Sequence, residues 1–545
     1  MSLAPNPTSS LYPPLGLAAK PDPSTDFVYK RREPENTLLY RILAEYLETW
    51  LAERAADDSR SPLPSFVIDT LRGFLKCGVL AHGLTLVECP HCGAIMPIGF
   101  SCKLRGVCPS CAAKRMSETT IHLMENVLPC VPYRQWVVTF PYGVRFWLAT
   151  SRKLTSIVHG IVTGMIMTYY QAKAEERGIE NAVPGAVSFI QRFGSALNLN
   201  IHIHAIFIEG VYAMSDGVPV FYHLPSPDNK EVAQIVEAIA SRVIAVLRTM
   251  GYLSENGTPV DRPEVIDKVF AESEQLIATA HASNQMRIAF GERAGQNVRL
   301  LGQKVHRIGG GCGYEEEEAF IKGPRCATVN DFCVHADRYI GQQERTKLKD
   351  LLDYAGRPAF SHERLTLRDP EQPDGDLVYT FKRAWSDGTT SIVLSRSELL
   401  EKLTALIPAP NMHMTRHLGV LSSAHAWRSL IVLKPNIKKG FVASLDGLGD
   451  PVRLSWSILL KKTFKIDITR CVVCGGRIRA LACKAITLPE IISSLLRAMG
   501  LSHHPPPITP ARYTRRELDF DQRREGDVDQ RCEYEFDQRV AGDDL

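Results

Sequence analysis

The chain has 545 residues, 45% hydrophobic and 23% charged, an ordinary globular composition with length for two to four domains. Its net charge of +4 is the balance of a basic body of +11 and a tail from Glu517 to Leu545 with eleven acidic and four basic side chains. A basic body suits a polyanionic partner. Its longest apolar run, Ser156 to Tyr170, is broken by His159, Gly160 and Gly164 and is too short for a membrane span.

Residues 1–30 are rich in Pro, Ser and Ala and are expected to be a disordered arm. From Asn36 to Ala56, Leu39, Ile42, Leu43, Tyr46, Leu47 and Leu51 recur at helical spacing, and Phe66 to Leu75 reads as a second helix. Cys89-Pro-His-Cys92 and Cys108-Pro-Ser-Cys111 follow, with fifteen residues between the inner cysteines. That spacing points to one structural zinc held by Cys89, Cys92, Cys108 and Cys111, since four thiolates close a tetrahedron and leave no open position. Cys77 and Cys102 remain as core residues or alternative ligands, and His91 as a surface residue of the knuckle. Lys103, Arg105, Lys114 and Arg115 around this module fit phosphate contact.

Tyr133 to Phe140 reads as a strand, 151–178 as a helix and Val187 to Gln191 as a strand. The stretch from Asn198 to Ile208 alternates as a strand does: Asn198, Asn200, His202, His204, Ile206 and Ile208 share one face, and Leu199, Ile201, Ile203, Ala205 and Phe207 the other. Two imidazoles two residues apart can aim neutral nitrogens at one metal ion, or be half-buried histidines satisfied by hydrogen bonds. Helices are expected at 230–251 and 263–281. Gly309 to Gly313 lacks the features of a nucleotide cradle and reads as a loop, as does the acidic run Glu315 to Glu318. His335 lies on a further strand, followed by a helix from about Gln343 to Ala355 with Tyr354 at the edge of its apolar face. Gly356 and Pro358 end that helix. Val378 to Lys382 and Thr390 to Leu394 read as a hairpin around Trp385-Ser-Asp387-Gly388, and Glu398 to Leu406 as a helix. Residues 411–440 are basic and include Arg416 and Arg428 as candidate DNA contacts. Ser455 to Phe464 looks helical, and Cys471-Val-Val-Cys474 is a weaker zinc signal that Cys483 or a histidine would have to complete. The tail repeats Asp519-Phe-Asp-Gln-Arg523, Asp527-Val-Asp-Gln-Arg531 and Glu535-Phe-Asp-Gln-Arg539 and is expected to be disordered.

In order along the chain, the motifs are the cysteine module with Ser101-Cys102-Lys103, then Gln191-Arg-Phe-Gly-Ser-Ala-Leu-Asn198, His202-Ile-His204 and Val334-His335-Ala-Asp337. Tyr354-Ala-Gly-Arg-Pro358, Trp385-Ser-Asp-Gly-Thr-Thr390 and Ile466-Asp-Ile with Cys471 and Cys474 complete them. This set resembles the rolling-circle transposases of the insertion-sequence ninety-one family, within the HUH single-strand endonucleases, over about residues 30–512. The resemblance implies an α+β fold: an antiparallel-sheet HUH palm with flanking helices, an N-terminal zinc-binding module and a smaller C-terminal Cys-x2-Cys region. The expected divisions are a helical and zinc-binding domain at 31–125, the endonuclease at 130–360, a hairpin and basic connection at 361–440, a C-terminal DNA-binding region at 441–512 and the tail at 513–545.

The resemblance further implies that His202 and His204 hold Mg²⁺ or Mn²⁺ with a third ligand, His335 or Gln191. His335 is preferred, although a third imidazole suits Mn²⁺ better than Mg²⁺. Tyr354 would attack the scissile phosphate, leaving a 5′-phosphotyrosine and a free 3′-hydroxyl. Tyrosine ionises near pH 10, so the ion or a base must assist. Some members carry a second tyrosine four residues earlier on the helix; here that position is Asp350. Second strand transfer must then be sequential, use another protomer in a homodimer, or rely on a hydroxyl. The implied partners are single-stranded DNA at element ends and target DNA, with no membrane, in the nucleoid of a bacterial cytoplasm. The alternatives are a relaxase or replication initiator, or a non-catalytic zinc-bearing DNA-binding protein.

Overall fold

The computed structural model describes residues 32–254, 257–260, 266–302, 319–432, 471, 473–480 and 485–512. The expected arm at 1–30, the Gly309 and Glu315 runs, the Ser455 helix, Cys483 and the acidic repeats lie outside them.

Helix α1 (Leu38–Ala55) starts where the Thr37 side chain accepts a bond from the Tyr40 N–H. It buries Leu39, Ile42, Leu43, Leu47 and Trp50. After α2 (Ser65–Phe74), strands β1 (Leu84–Glu88) and β2 (Ile95–Gly99) form a hairpin, and α3 (Pro109–Asn126) begins with proline in its first turn. The free edge of β1 pairs antiparallel with Arg479–Ala480, so a C-terminal segment completes an N-terminal sheet.

The main sheet is built on β3 (Tyr133–Thr139), β4 (Gly185–Phe193) and β5 (Leu199–Ile208), with β5 in the middle. Thr415–Gly419 pairs outside β4, and Phe332–His335 outside β3, followed by Cys326–Val329 and Phe320–Gly323. Every pairing is antiparallel. One face carries Trp136, Val138, Ile201, Ile203, Ala205 and Phe207 into the largest core, against α4 (Tyr142–Thr150), α5 (Arg152–Glu175) and α6 (Asn229–Thr249). The other face carries Val187, Phe189, Ile206 and Ile208, which pack with Leu348, Leu351, Leu352 and Ala355 of the helix Arg345–Ala355 and with Leu123 of α3. The alternation along β5 therefore sorts its side chains between two layers, as the strand period requires.

A four-stranded sheet contains Leu377–Thr380 paired with Ser391–Leu394, the expected hairpin. Trp385 N–H bonds the Thr389 carbonyl at its tip. Where one helix was expected at 263–281, there are two, Lys268–Ala271 and Glu274–Asn284. Ser273 caps the second by accepting from the Leu276 N–H, restarting the helix.

Candidate active site and cysteine clusters

His202 and His204 sit side by side on β5, ring centroids 4.9 Å apart, and both are buried. The register places Gln191 of β4 directly opposite His202, and Phe189 opposite His204. The His202 Nδ1 lies 3.1 Å from the Asn200 carbonyl, which can only accept, so Nδ1 carries the proton and Nε2 keeps its lone pair. His204 Nδ1 is 2.7 Å from the Gln135 amide. The Gln135 atom placed there is Nε2, a donor; exchanging it with the orphaned Oε1, as flips of this group allow, lets His204 Nδ1 carry the proton and gives the same tautomer. Burial drives the His202 pKa down to about 4 and that of His204 well below the usual range, so both are neutral near pH 7. His204 Nε2 and Gln191 Oε1 are buried atoms with no hydrogen-bond partner. Two orphaned acceptors on one polar face beside a neutral imidazole fit a divalent ion.

Tyr354 comes to this face from the last turn of its helix, its ring edge-on to His204 at 5.8 Å. Gln191 fixes that turn, because its Nε2 donates to the Tyr354 and Ala355 carbonyls at 3.1 and 2.8 Å. Beyond the helix the chain turns back, and the Arg357 guanidinium lies 4.4 Å from the Tyr354 ring centroid. Lys382 lies 5.8 Å from the same centroid. A cavity of about 230 Å³ opens beside the tyrosine, lined by Phe193, Ser195, Arg357, Arg364, Tyr379 and Lys382 among others. Trp385 Nε1 donates to Ser195 Oγ at 2.8 Å, tying the hairpin to the β4–β5 turn. In that turn a Cβ on Gly194 would sit 2.3 Å from Asn198 Oδ1, so a larger residue there would displace the Asn198 side chain. Three motifs far apart in sequence thus meet around one cleft.

His335 is placed differently. It is half-buried, opposite Cys326 on one side and Val137 on the other, and Val137 in turn lies opposite His204. A whole strand therefore separates His335 from the histidine pair, about 9–10 Å at ordinary strand spacing. Among the described residues, the sets of three or more His, Cys, Asp or Glu ligand atoms within 4.8 Å of one another are two cysteine clusters, and His335 belongs to neither.

Those clusters correct the expected zinc module. Cys108 and Cys111 join Cys77 and Cys102, while Cys89 and Cys92 join Cys471 and Cys474. In the first, sulfur–sulfur distances are 3.5 to 3.6 Å, against about 3.8 Å for a regular tetrahedron with Zn–S bonds of about 2.3 Å. The hairpin explains the regrouping. Cys89 and Cys92 ride its tip, whereas Cys77 and Cys102 lie at its base, where Gly78 N–H bonds the Phe100 carbonyl at 2.8 Å. Five-residue strands separate tip from base by about 16 Å. The partners of Cys471 and Cys474 are thus Cys89 and Cys92, in place of Cys483 or a histidine.

Four of the expected DNA-contact arginines also have hydrogen-bond partners within the protein. Arg105 donates to the Met412 carbonyl, Arg115 to the Lys103 carbonyl, Arg416 to Ser156 and Arg428 to the Leu421 carbonyl. Lys114 is 3.7 Å from Glu118, and Lys103 is exposed. The cations at the tyrosine are Arg357 and Lys382, with Arg364 further along the same cavity. Arg357 lay within a recognised motif, but Arg364 and Lys382 carried no spacing signal.

The family model described as "Putative transposase" matches residues 185–428, and the model described as "Transposase zinc-binding domain", of insertion-sequence ninety-one type, matches residues 42–140. The first spans Gln191, the histidine pair, Tyr354 and the Trp385 hairpin, and the second spans Cys77 to Cys111. No curated protein and no solved structure matched the chain.

Proposed function

This chain belongs to the insertion-sequence ninety-one family of transposases, and on that premise we propose that it nicks single-stranded DNA at element ends with Tyr354 as nucleophile. The observation that carries the proposal is the convergence of Tyr354, His204 and Gln191 on one polar patch of the main sheet. The Tyr354 hydroxyl gives up its proton to solvent and its oxygen attacks the scissile phosphorus. A phosphorus–tyrosine bond forms, the bond to the 3′ oxygen breaks, and that oxygen leaves and takes up a proton. The 5′-phosphotyrosine keeps the phosphodiester energy for rejoining, so no ATP is required.

His202, His204 and Gln191 would hold the ion, Gln191 in preference to His335 because it lies directly opposite His202 with an orphaned oxygen. Mg²⁺ or Mn²⁺ bound there would withdraw charge from the phosphate oxygens. Gln191 also grips the carbonyls of the tyrosine's own turn, so one residue orients nucleophile and ligand set together. Arg357 lies over the phenol ring, a cation against its π face. Arg357, Arg364 and Lys382 give the cavity the charge to seat the sugar–phosphate strand, and Phe193 and Tyr379 give it aromatic surface. The single tyrosine has Asp350 one turn before it, so two strands are handled in sequence or by two protomers. The partners are then element-end and target DNA in the bacterial nucleoid.

The test is incubation of the protein with end-labelled single-stranded DNA carrying the element end, with Mn²⁺, followed by a denaturing gel. A slow-migrating covalent adduct is expected from the native protein and none from Tyr354→Phe, with strand binding retained. An adduct that persists in Tyr354→Phe rejects this nucleophile.

A further inference from the structure

Cys89-Pro-His-Cys92-Gly93 and Cys471-Val-Val-Cys474-Gly475 are 382 residues apart by their first cysteines, yet they share two backbone features. In each, the glycine after the second cysteine has positive φ, +70° at Gly93 and +71° at Gly475. In each, that glycine's N–H bonds the carbonyl of the first cysteine, at 2.8 and 2.9 Å. The two turns face one another: Cys89 and Cys474 sulfurs are 3.5 Å apart, and Cys92 and Cys471 sulfurs 3.6 Å. The Val473 N–H points at Cys471 Sγ and the Gly476 N–H at Cys474 Sγ, both at 3.4 Å, as suits sulfurs that carry negative charge. A Cβ on Gly476 would meet His91, Cys474 and Cys89 within 3.1 to 3.4 Å, so the turns are packed as closely as a glycine allows.

We propose that Cys89, Cys92, Cys471 and Cys474 bind a second zinc ion, and that this ion joins the two halves of one zinc ribbon, fastening the C-terminal segment to the N-terminal module. Each knuckle alone supplies two thiolates, and a structural tetrahedral site needs four, so metal capture and joining of the segments are one event. The four thiols release their protons to solvent on binding. The surroundings are built for the join. Arg479–Ala480 adds a strand to β1, Leu84 and Ile486 exchange backbone hydrogen bonds, and the helix Pro489–Ala498 puts Ile492 and Leu496 against Leu80, Leu84 and Leu86. Further on, Thr509 N–H bonds the Ala44 carbonyl of α1. The other cluster draws all its sulfurs from residues 77–111, so it would hold a metal without the C-terminus. The zinc-binding family match stops at residue 140 and leaves half of the proposed ribbon outside it.

The test uses the full-length protein, purified with a reductant that keeps thiols free. Zinc is counted by mass spectrometry, and a protease site is inserted between residues 450 and 451. We expect two zinc ions per native chain and one in Cys471→Ser/Cys474→Ser. After cleavage, the C-terminal piece should co-elute with the body of the native protein on sizing and separate from that of the double variant. Cobalt substitution gives a second readout that does not depend on cleavage: the visible absorption of tetrahedral thiolate sites should halve in the double variant, with unchanged near-ultraviolet circular dichroism from the buried tryptophans of the body. One zinc per native chain, two in the double variant, or a C-terminal piece held equally well by both would each overturn the proposal.

Discussion

His202 and Gln191 face each other across one pair of strands, and that single register decides which side chains can share an ion. Gln191→Leu should raise the Mn²⁺ concentration for half-maximal adduct by tenfold or more, on the order of losses at supporting metal-site residues, whereas His335→Ala should shift it less than about threefold. Equal shifts would return His335 to the ligand set. Another buried histidine reports on the opposite face of the sheet. His159 Nε2 bonds Ser188 Oγ at 2.6 Å, and burial lowers its pKa to about 4. Unfolded, it titrates near 6.5. The unfolded chain therefore binds more protons between those values, and the stability is complete above pH 6.5 and lost as pH falls toward 4. The ceiling is about 3 kcal/mol, from 1.36 kcal/mol per unit. Urea midpoints followed from pH 7 to 4 should fall less steeply in His159→Gln than in the native protein; parallel curves would discard the assignment. At this scale the sequence already showed the histidine pair, because strand alternation puts them on one face. It favoured His335 over Gln191 as third ligand because register is a pairing between strands and is not written within either one.

Elements are held in register by what they bury at their ends. Arg134 on β3 is 1% exposed and Glu209, just past β5, is fully buried, and they form an ion pair with N–O contacts of 2.7 to 2.9 Å. Tyr170 of α5 donates to the same carboxylate at 3.0 Å, and Arg134 reaches the Ala336 carbonyl at 2.7 Å. This knot joins the strand carrying the histidines to the segment leading into the tyrosine helix. Glu209→Ala strands a buried guanidinium, so a loss of about 3–5 kcal/mol is expected in denaturant melts. A loss below 1 kcal/mol would mean that the pair is solvated in solution. Helices and strands around the site were legible from periodicity within a few residues. The grouping of cysteines was not. Spacing rules assume that neighbouring pairs share a metal, and here a hairpin with five-residue strands carries Cys89 and Cys92 away from Cys108 and Cys111.

Over the whole molecule, late residues finish early structures. Thr415–Gly419 covers the outer edge of β4, and Arg479–Ala480 covers that of β1. Among the described residues no helix is long and apolar enough to cross a membrane. Sequence patterns read each segment's preferences, but closures of this kind depend on contacts hundreds of residues apart, which a single chain's periodicity does not encode.

The paired knuckles have a consequence for synthesis. A ribosome delivers Cys89 and Cys92 long before Cys471 and Cys474 exist. Any product that stops short of residue 471 would display a half-finished ribbon, with Leu84 and Leu86 stripped of their cover by Ile492 and Leu496. Such a fragment would contain the whole main sheet and still be marked as unfinished by its exposed apolar hairpin. We expect a chain ending at residue 432 to be cleared in a pulse-chase several-fold faster than the full-length chain. Restoring residues 471–512 in trans should lengthen its half-life, and failure of both effects would show that the ribbon does not proofread translation.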